Sequence, residues 1–425
     1  MKQLRLFPGF LCSLLIRILA AVLAGALLLS AVRMLPSAPM DRNLEKSAPV
    51  FAAEGIYPSL FDWCTSQLDS TTDALILLIS ACDTGESPVV QAMTGTYNTL
   101  SGAESPSNDL AVHYGSGIPF DGSTPYYQYW HGYQLIIRPL LSLMSYQNIR
   151  LLNGFVQLAL LLVLCILFRK ADLGWCTLPY LLSVAMVMPV VLANSLQYSS
   201  CYYILTLGAM AVLWKRHSLD RDDAFLFLYI GIATAYFDFL TYPVATLGIP
   251  AVVYFCVRAT ASIRDAFCRG VRICFSWGIG YIGMWSGKWL VGSILLRKNI
   301  LTLASDKLVE RSSAGTASDS SILLDMYAGV SANIKAFIRT PATFLLLAYL
   351  VLLFVLLIPA YKKQTHPIAN AVKTVFPFII LACMPVIWYM VTANHSTIHH
   401  WFTNKALMVS VFAAAAALGK LRENT

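Results

Sequence analysis

The stretch LCSLLIRILAAVLAGALLLSAVR at 11–33 is long enough to cross a bilayer as one helix, and the hundred residues after it decide the architecture. From 35 to 133 the chain carries carboxylates, glycines, prolines and aromatics, with no run of spanning length. Beyond Gln134 apolar runs of spanning length dominate. One anchor, one long polar loop and then a bundle of spans is the order that results.

Composition agrees. Of 425 residues 57% are hydrophobic and only 12% charged, and the mean hydropathy is +0.64. A soluble globule would have roughly a quarter of its residues charged. The expectation is an all-α integral membrane protein, a single polytopic domain over 1–425. It has about ten helices, centred on Leu23, Leu160, Ala185, Gly208, Ile230, Pro250, Tyr281, Val351, Ala382 and Val411. The first is expected to be a retained anchor rather than a cleaved signal peptide, since Arg17 interrupts it and no small-x-small site precedes Met40.

Basic residues near span ends stay on the cytoplasmic side. With the N-terminus inside, Lys2/Arg5, Arg169/Lys170, Lys215/Arg216, Arg258/Arg264/Arg269/Arg272, Lys362/Lys363 and Lys420/Arg422 all fall on one side. Both termini are then cytoplasmic. The large loop (34–133), a second loop (297–341) and shorter segments at 194–198, 238–243 and 394–405 face outward. The net charge of +8 is accounted for by the inner clusters facing anionic lipid, so no nucleic-acid partner is implied.

Within the large loop, 70–81 reads as a short amphipathic helix lying on the membrane surface, 101–125 as irregular loop, and the aromatics from Tyr126 to Tyr133 as a headgroup-level belt. In the second loop, 312–321 is small and polar, and 322–338 is amphipathic. Eight of the ten cysteines lie in or beside spans. Cys64 and Cys82 are the loop pair able to form a disulfide.

Ionisable groups at membrane depth are costly, and they gather on the outer side. The acids are Glu54, Asp62, Asp69 and Asp73. Asp69 and Asp73 are four apart, so one helical face would carry both, either as a general base with its orienting partner or as a helix cap and a dipole complement. The outer cations are Arg138, Lys288, Arg297, Lys298, Arg339 and Lys405. They oppose the charge rule and so need a partner, with lipid phosphate and headgroup snorkelling as the two readings. Between the last spans lies the island NHSTIHHWFTNK (394–405), in which His395 and His399 share a helical spacing but lack a Glu or Cys that would make a metal site. Asp238, among aromatics, is expected to pair with Lys288 or Arg138. There is no phosphate-binding loop motif, which argues against ATP-driven transport.

In these parts the layout resembles the GT-C superfamily of membrane glycosyltransferases. The parts are the acids Asp69 and Asp73 before a loop helix, the segment Tyr129-Trp130-His131-Gly132-Tyr133 leading to Arg138-Pro139, and the island ending at Lys405. The resemblance implies an inverting transfer of a sugar from a polyprenyl-phosphate donor to a hydroxyl of a glycan, lipid-linked glycan or protein. The site would lie on the outer face of the plasma membrane, surrounded by membrane lipid. It implies Asp69, Asp73 or Glu54 as base, Arg138, Lys288, His395, His399 and Lys405 at the donor phosphate, and His131, Tyr133, Asp238 and Asn394 as substrate contacts. A divalent cation is left open. The acidic spacing departs from the tight Asp-x-Asp, Asp-Asp or Asp-Glu of that superfamily, which puts the identity of the base in doubt. A flippase of lipid-linked glycans, and a polysaccharide polymerase or ligase using a lipid diphosphate, are the alternatives.

Overall fold

A computed structural model describes residues 2–312, 322–361 and 367–423. Lys362, Lys363 and the small polar stretch 313–321 lie outside them. The chain opens with α1 (Lys2–Arg33), followed by the loop helices α2 (Ala38–Glu54), α3 (Ser70–Ala81), α4 (Pro88–Thr94) and α5 (Pro106–Ser116). Next come α6 (Gln134–Leu143), α7 (Tyr146–Lys170), α8 (Thr177–Met186), α9 (Pro189–Ala193), α10 (Leu196–Trp214), α11 (Leu219–Phe237), α12 (Val244–Val257) and α13 (Ile263–Leu296). The last part holds α14 (Ile300–Arg311), α15 (Ile322–Ile338), α16 (Ala342–Tyr361), α17 (Pro367–Val391), α18 (Ala393–Ile398), α19 (His400–Thr403) and α20 (Met408–Glu423). Strands β1 (Tyr97–Thr99) and β2 (Gly122–Thr124) pair antiparallel in the large loop.

Among the described residues, five helical stretches are long and apolar enough to cross a membrane: 9–33, α7, α10, 368–391 and 400–423. α15 and α16, bent by 89° at their junction, pass the same test together, making six. Each of the ten expected centres falls in a helix, and length and composition together qualify five or six of the described stretches as spans. The one centred on Ala185 is broken, because Met188 turns left-handed (φ 58°) and Pro189 starts a new helix without an amide donor. α12 has only 14 residues. Leu15, Leu19 and Leu23 on α1, Phe155 and Leu162 on α7, and Phe344 and Leu345 on α16 are exposed. Apolar surface of that extent is tolerated in lipid and not in water. The protein is a helical membrane protein.

Small residues set the closest helix crossing. A Cβ at Gly231 of α11 would stand 2.1 Å from the Trp277 carbonyl, and one at Gly280 of α13 would stand 2.2 Å from the Leu228 carbonyl. The two backbones touch there, as membrane helices do when small residues face each other. At the Lys420 end the basic clusters meet. Lys215 pairs with Asp222 at 3.7 Å, Arg272 with Asp223 at 2.9 Å, and Trp175 lies over Gly419.

The large loop is a folded layer, and this corrects three expectations. α3 does not rest on a membrane surface: Ala74, Ile76, Leu77, Leu78, Ile79 and Ala81 are all buried in protein, under α2, α5, α6 and α10. The aromatics of the expected belt are core residues as well. Trp130 donates its indole N–H to the Met284 carbonyl at 2.6 Å, and Tyr129 and Tyr133 are buried. The stretch 101–125 is not irregular, since α5 is capped at its start by the Ser105 hydroxyl on the Asn108 amide (3.3 Å), has Pro106 at its first position, and ends at Gly117 with φ 72°.

Gly280→Val is expected to lower the thermal midpoint of the detergent-solubilised protein by at least as much as core overpacking does, about 1–3 kcal/mol, and Gly231→Val likewise. Gly278→Val has open space and should leave the midpoint unchanged.

Candidate functional site

Three carboxylates of the large loop have three different environments. Asp73, in the first turn of α3, is buried and accepts from the Tyr146 hydroxyl at 2.5 Å, the amides of Leu196 (2.9 Å) and Gln197 (3.0 Å), and the Ser195 hydroxyl (3.3 Å). Leu196 and Gln197 open α10, whose own cap residue Ser195 makes no side-chain cap. Asp73 thus caps that helix from a distant part of the chain and sits at the positive end of its dipole. Glu54, at the end of α2, accepts both arms of Arg150, the second at 2.9 Å, and the Ser70 hydroxyl at 3.0 Å. That pair ties the loop layer to α7.

Asp69 is different. It caps α3 through the Thr72 amide at 2.8 Å, and among the described residues its carboxylate takes donors from Thr72 alone. Burial pushes its pKa up to about 7, the Thr72 bonds and the nearby Asp73 being smaller influences. The helical-face reading of the two aspartates gives way here: Asp69 stands at the cap, outside the helix, and the two side chains have no partner in common.

Two of the outer cations, Arg138 and Lys288, find their partners in helix ends. Arg138 donates to the carbonyls of Val32 (3.1 Å), Arg33 (3.5 Å) and Leu35 (2.6 Å) at the end of α1, and to that of Ser80 near the end of α3. Lys288 donates to the carbonyls of Ala92 (3.3 Å) and Met93 (2.8 Å) at the end of α4. Carbonyls in the last turn of a helix have no intrahelical donor and carry its negative partial charge, so a buried cation is held there without a carboxylate. This also corrects the pairing expected for Asp238, which accepts from the Thr241 amide (2.9 Å) and hydroxyl (2.5 Å) and meets neither cation. His131 is fully engaged as well, contacting the Tyr126 carbonyl at 2.7 Å and the Tyr133 hydroxyl at 3.1 Å.

The island between the last spans folds against both outer loops. Lys405 donates to the Thr65 carbonyl at 3.1 Å and lies 4.7 Å from the centre of the Tyr198 ring. Asn333 of α15 bridges to the Ser396 carbonyl (2.8 Å) and accepts from Thr403 (2.7 Å), and the Thr65 hydroxyl reaches the Ala336 carbonyl (3.0 Å). Asn394 donates to the Glu310 carbonyl. A line of rings runs along the contact: Tyr57 to Trp401 at 5.2 Å, Trp401 to His399 at 5.1 Å, and His399 to His395 at 4.8 Å. Tyr57, at one end of the line, feels the charge of Asp69. At the other end stands Arg311, donating to the Tyr129 hydroxyl.

His395 and His399 are neutral at physiological pH. Burial, then His399 and Arg311, hold the pKa of His395 down to about 3, and burial, Arg311 and His400 hold that of His399 down to about 4. His395 contacts the Leu240 carbonyl through Nε2 at 2.9 Å, while the buried Nδ1 atoms of both rings have no protein partner among the described residues. Arg311 supplies the fixed positive charge beside them. Sequence reasoning has no means of singling it out from Arg297 or Arg339, because all three are basic residues in one polar loop and only packing decides which is turned inward. Tyr57 and Trp401 escape it for the same reason. Cys64 and Cys82 are both free thiols, which removes the disulfide.

Asp73→Asn would set an amide N–H against the Leu196 or Gln197 N–H, and its expected cost is about 2 kcal/mol of stability, read as a lowered thermal midpoint. Asp69→Asn should leave the midpoint within about 0.5 kcal/mol of the parent's. Comparison with protein-family models, with curated proteins and with solved structures finds no match to this chain.

Proposed function

We propose that this protein is an inverting membrane glycosyltransferase of GT-C type, moving a sugar from a polyprenyl-phosphate donor to a hydroxyl of a glycan, lipid-linked glycan or protein. In this reading it has about ten spans in the plasma membrane, both termini in the cytoplasm, and its site on the outer face. The observation that supports it most is the line of rings Tyr57, Trp401, His399 and His395, with the charge of Asp69 acting on Tyr57 at one end and that of Arg311 on the histidines at the other. It sets one weakly engaged carboxylate and one half-buried cation at the same end of the bundle. Those are the two charges that such a transfer needs.

Each group has its own part in the chemistry. Asp69 removes the proton from the acceptor hydroxyl, and the acceptor oxygen bonds to the anomeric carbon from the face opposite the phosphate. The bond between that carbon and the phosphate oxygen breaks, and the electron pair leaves with the lipid phosphate. Arg311 meets the growing negative charge in this reading, and the neutral imidazole of His399 has a ring N–H to offer as donor, whereas His395 spends its own on the Leu240 carbonyl and keeps only an acceptor nitrogen at Nδ1. Among the acids, Asp69 is favoured over Asp73 and Glu54 because a base needs a free lone pair and a pKa near the working pH. Arg138 and Lys288 act in this reading as braces of helix ends rather than as phosphate ligands. Arg311 beside two histidines also suits a lipid-diphosphate leaving group, which keeps the polymerase or ligase as a second reading.

The test supplies polyprenyl-phosphate and polyprenyl-diphosphate sugars separately to the protein in nanodiscs, with acceptor extract, and measures release of the lipid carrier. Release from the monophosphate donor, lowered about 10²–10⁴-fold by Asp69→Asn, is the expected result. Release from the diphosphate donor alone moves the assignment to the second reading, and unimpaired transfer by Asp69→Asn removes Asp69 as base. The base must be ionised, so the rate should rise with pH up to about 7 and level off above it.

A further inference from the structure

Two helices of spanning length and apolarity, α7 and α10, are tied together at one end and open at the other. The side-chain hydrogen bonds that join them lie near their starts: Asn153 reaches Ser199 at 2.8 Å, Gln157 reaches Ser199 at 3.1 Å, and Tyr203 donates to Asn153. Among the described residues none joins them beyond Tyr203. There the two helices leave a groove of about 700 Å³. Its walls include Leu167 of α7 with Leu207 and Met210 of α10, and where the helices end it is bordered by Lys170, Trp214 and Arg216.

The two cations come from basic pairs that are 46 positions apart in sequence, Arg169/Lys170 and Lys215/Arg216, and the groove brings one member of each together. Neither Lys170 nor Arg216 has an ion pair among the described residues. Arg216 spends Nη1 on the Leu213 carbonyl at 3.2 Å, which neutralises no charge and leaves other N–H groups of the guanidinium to give. No carboxylate lines the groove among the described residues. The nearby acids do not serve it: Asp222 is held by Lys215 at 3.7 Å, and the exposed Asp172 makes no ion pair with Lys170. Trp214 is 79% exposed, which suits an indole resting at headgroup level and not one facing water.

The shape of the groove selects its occupant. Two unpaired cations ask for an anion, and an Arg beside a Lys grips a phosphate well. A soluble phosphate would leave the leucine walls uncovered, whereas a molecule with a hydrocarbon tail covers them. A phosphocholine headgroup carries its own cation and would answer the two charges less well than a headgroup of net negative charge. We propose that this groove binds one anionic phospholipid, its phosphate between Lys170 and Arg216 and an acyl chain along Leu167, Leu207 and Met210. The proposal needs only that the protein lies in a membrane, and it stands apart from the glycosyltransferase reading. The lipid would fill the gap that the polar contacts at the other end of the two helices leave open.

The full-length protein in detergent is titrated with phosphatidylglycerol or phosphatidylcholine, and lipid retention is read by native mass spectrometry. The expected result is a first phosphatidylglycerol held at least about tenfold more tightly than phosphatidylcholine, weakened about tenfold in Lys170→Gln/Arg216→Gln and largely restored in the charge-keeping Lys170→Arg/Arg216→Lys. Lys215→Gln removes a neighbouring charge that is already paired and lies outside the groove, so it should change retention by less than about twofold. Ala211→Phe fills the groove while keeping both cations, and should lower retention about as much as the double Gln variant. Equal retention of the two lipids overturns the proposal, as does phosphatidylglycerol binding that the double Gln variant or Ala211→Phe leaves intact. A loss in Lys215→Gln as large as in the double variant also overturns it, since that is the mark of a diffuse charge effect. Should the double variant fail to fold, Arg216→Gln alone is read in the same way, with a smaller expected loss of about threefold.

Discussion

Buried helix ends must have their backbone groups satisfied, and the outer layer of this protein is built around that requirement. Every helix leaves its last carbonyls without intrahelical donors. In water they are hydrated, but α1, α3 and α4 all end inside protein. Arg138 gathers the carbonyls that end α1 together with one from α3, Arg33 adds the Cys82 carbonyl at 2.9 Å, and Lys288 closes α4. Asp73 does the converse at the start of α10, where amides rather than carbonyls need a partner. These contacts dock the loop layer onto the spans. Without them the layer would hold several uncompensated dipole ends in a place with little water.

This changes the meaning of an ionisable residue in such a protein. Cost at membrane depth is a sound reason to suspect function, yet a helix end removes the cost as well as a substrate does. Arg138, Lys288, Asp73 and Glu54 are each answered by the protein itself. Asp69 and Arg311 are answered less completely: one carboxylate is held by a single neighbour, and one guanidinium rests on the tyrosines Tyr129 and Tyr126 rather than on a carboxylate. The degree to which a buried charge is already satisfied separates framework from candidate chemistry better than residue type does.

The two ends of the bundle are electrically unlike. One carries the acids, the histidines and the aromatic wall. The other carries basic clusters, some neutralised in pairs such as Arg272 with Asp223 and Lys215 with Asp222, and some bordering a groove, as Lys170 and Arg216 do. Close crossing of α11 and α13 through Gly231 and Gly280 holds the ends in register, since a backbone contact leaves no room for sliding.

Composition and periodicity were sufficient for the helical membrane class, for the helix at 70–81 and the one at 322–338, and for the island at 394–405 as a polar feature between apolar helices, because each rests on local hydrophobic pattern or on capping chemistry. The pattern could not count the spans, since a break such as Met188-Pro189 interrupts a helix without interrupting the apolar run. Nor could it tell which face of α3 is covered: a helix resting on lipid and a helix packed in a protein layer show the same leucines. Pairings such as Glu54 with Arg150 and Asp73 with the start of α10 join residues about a hundred positions apart, and no spacing rule reaches that far. The inward turn of Arg311 and the meeting of Tyr57 with Trp401 were decided by tertiary packing alone, because the rotation of a side chain about its helix depends on which neighbours occupy the space around it.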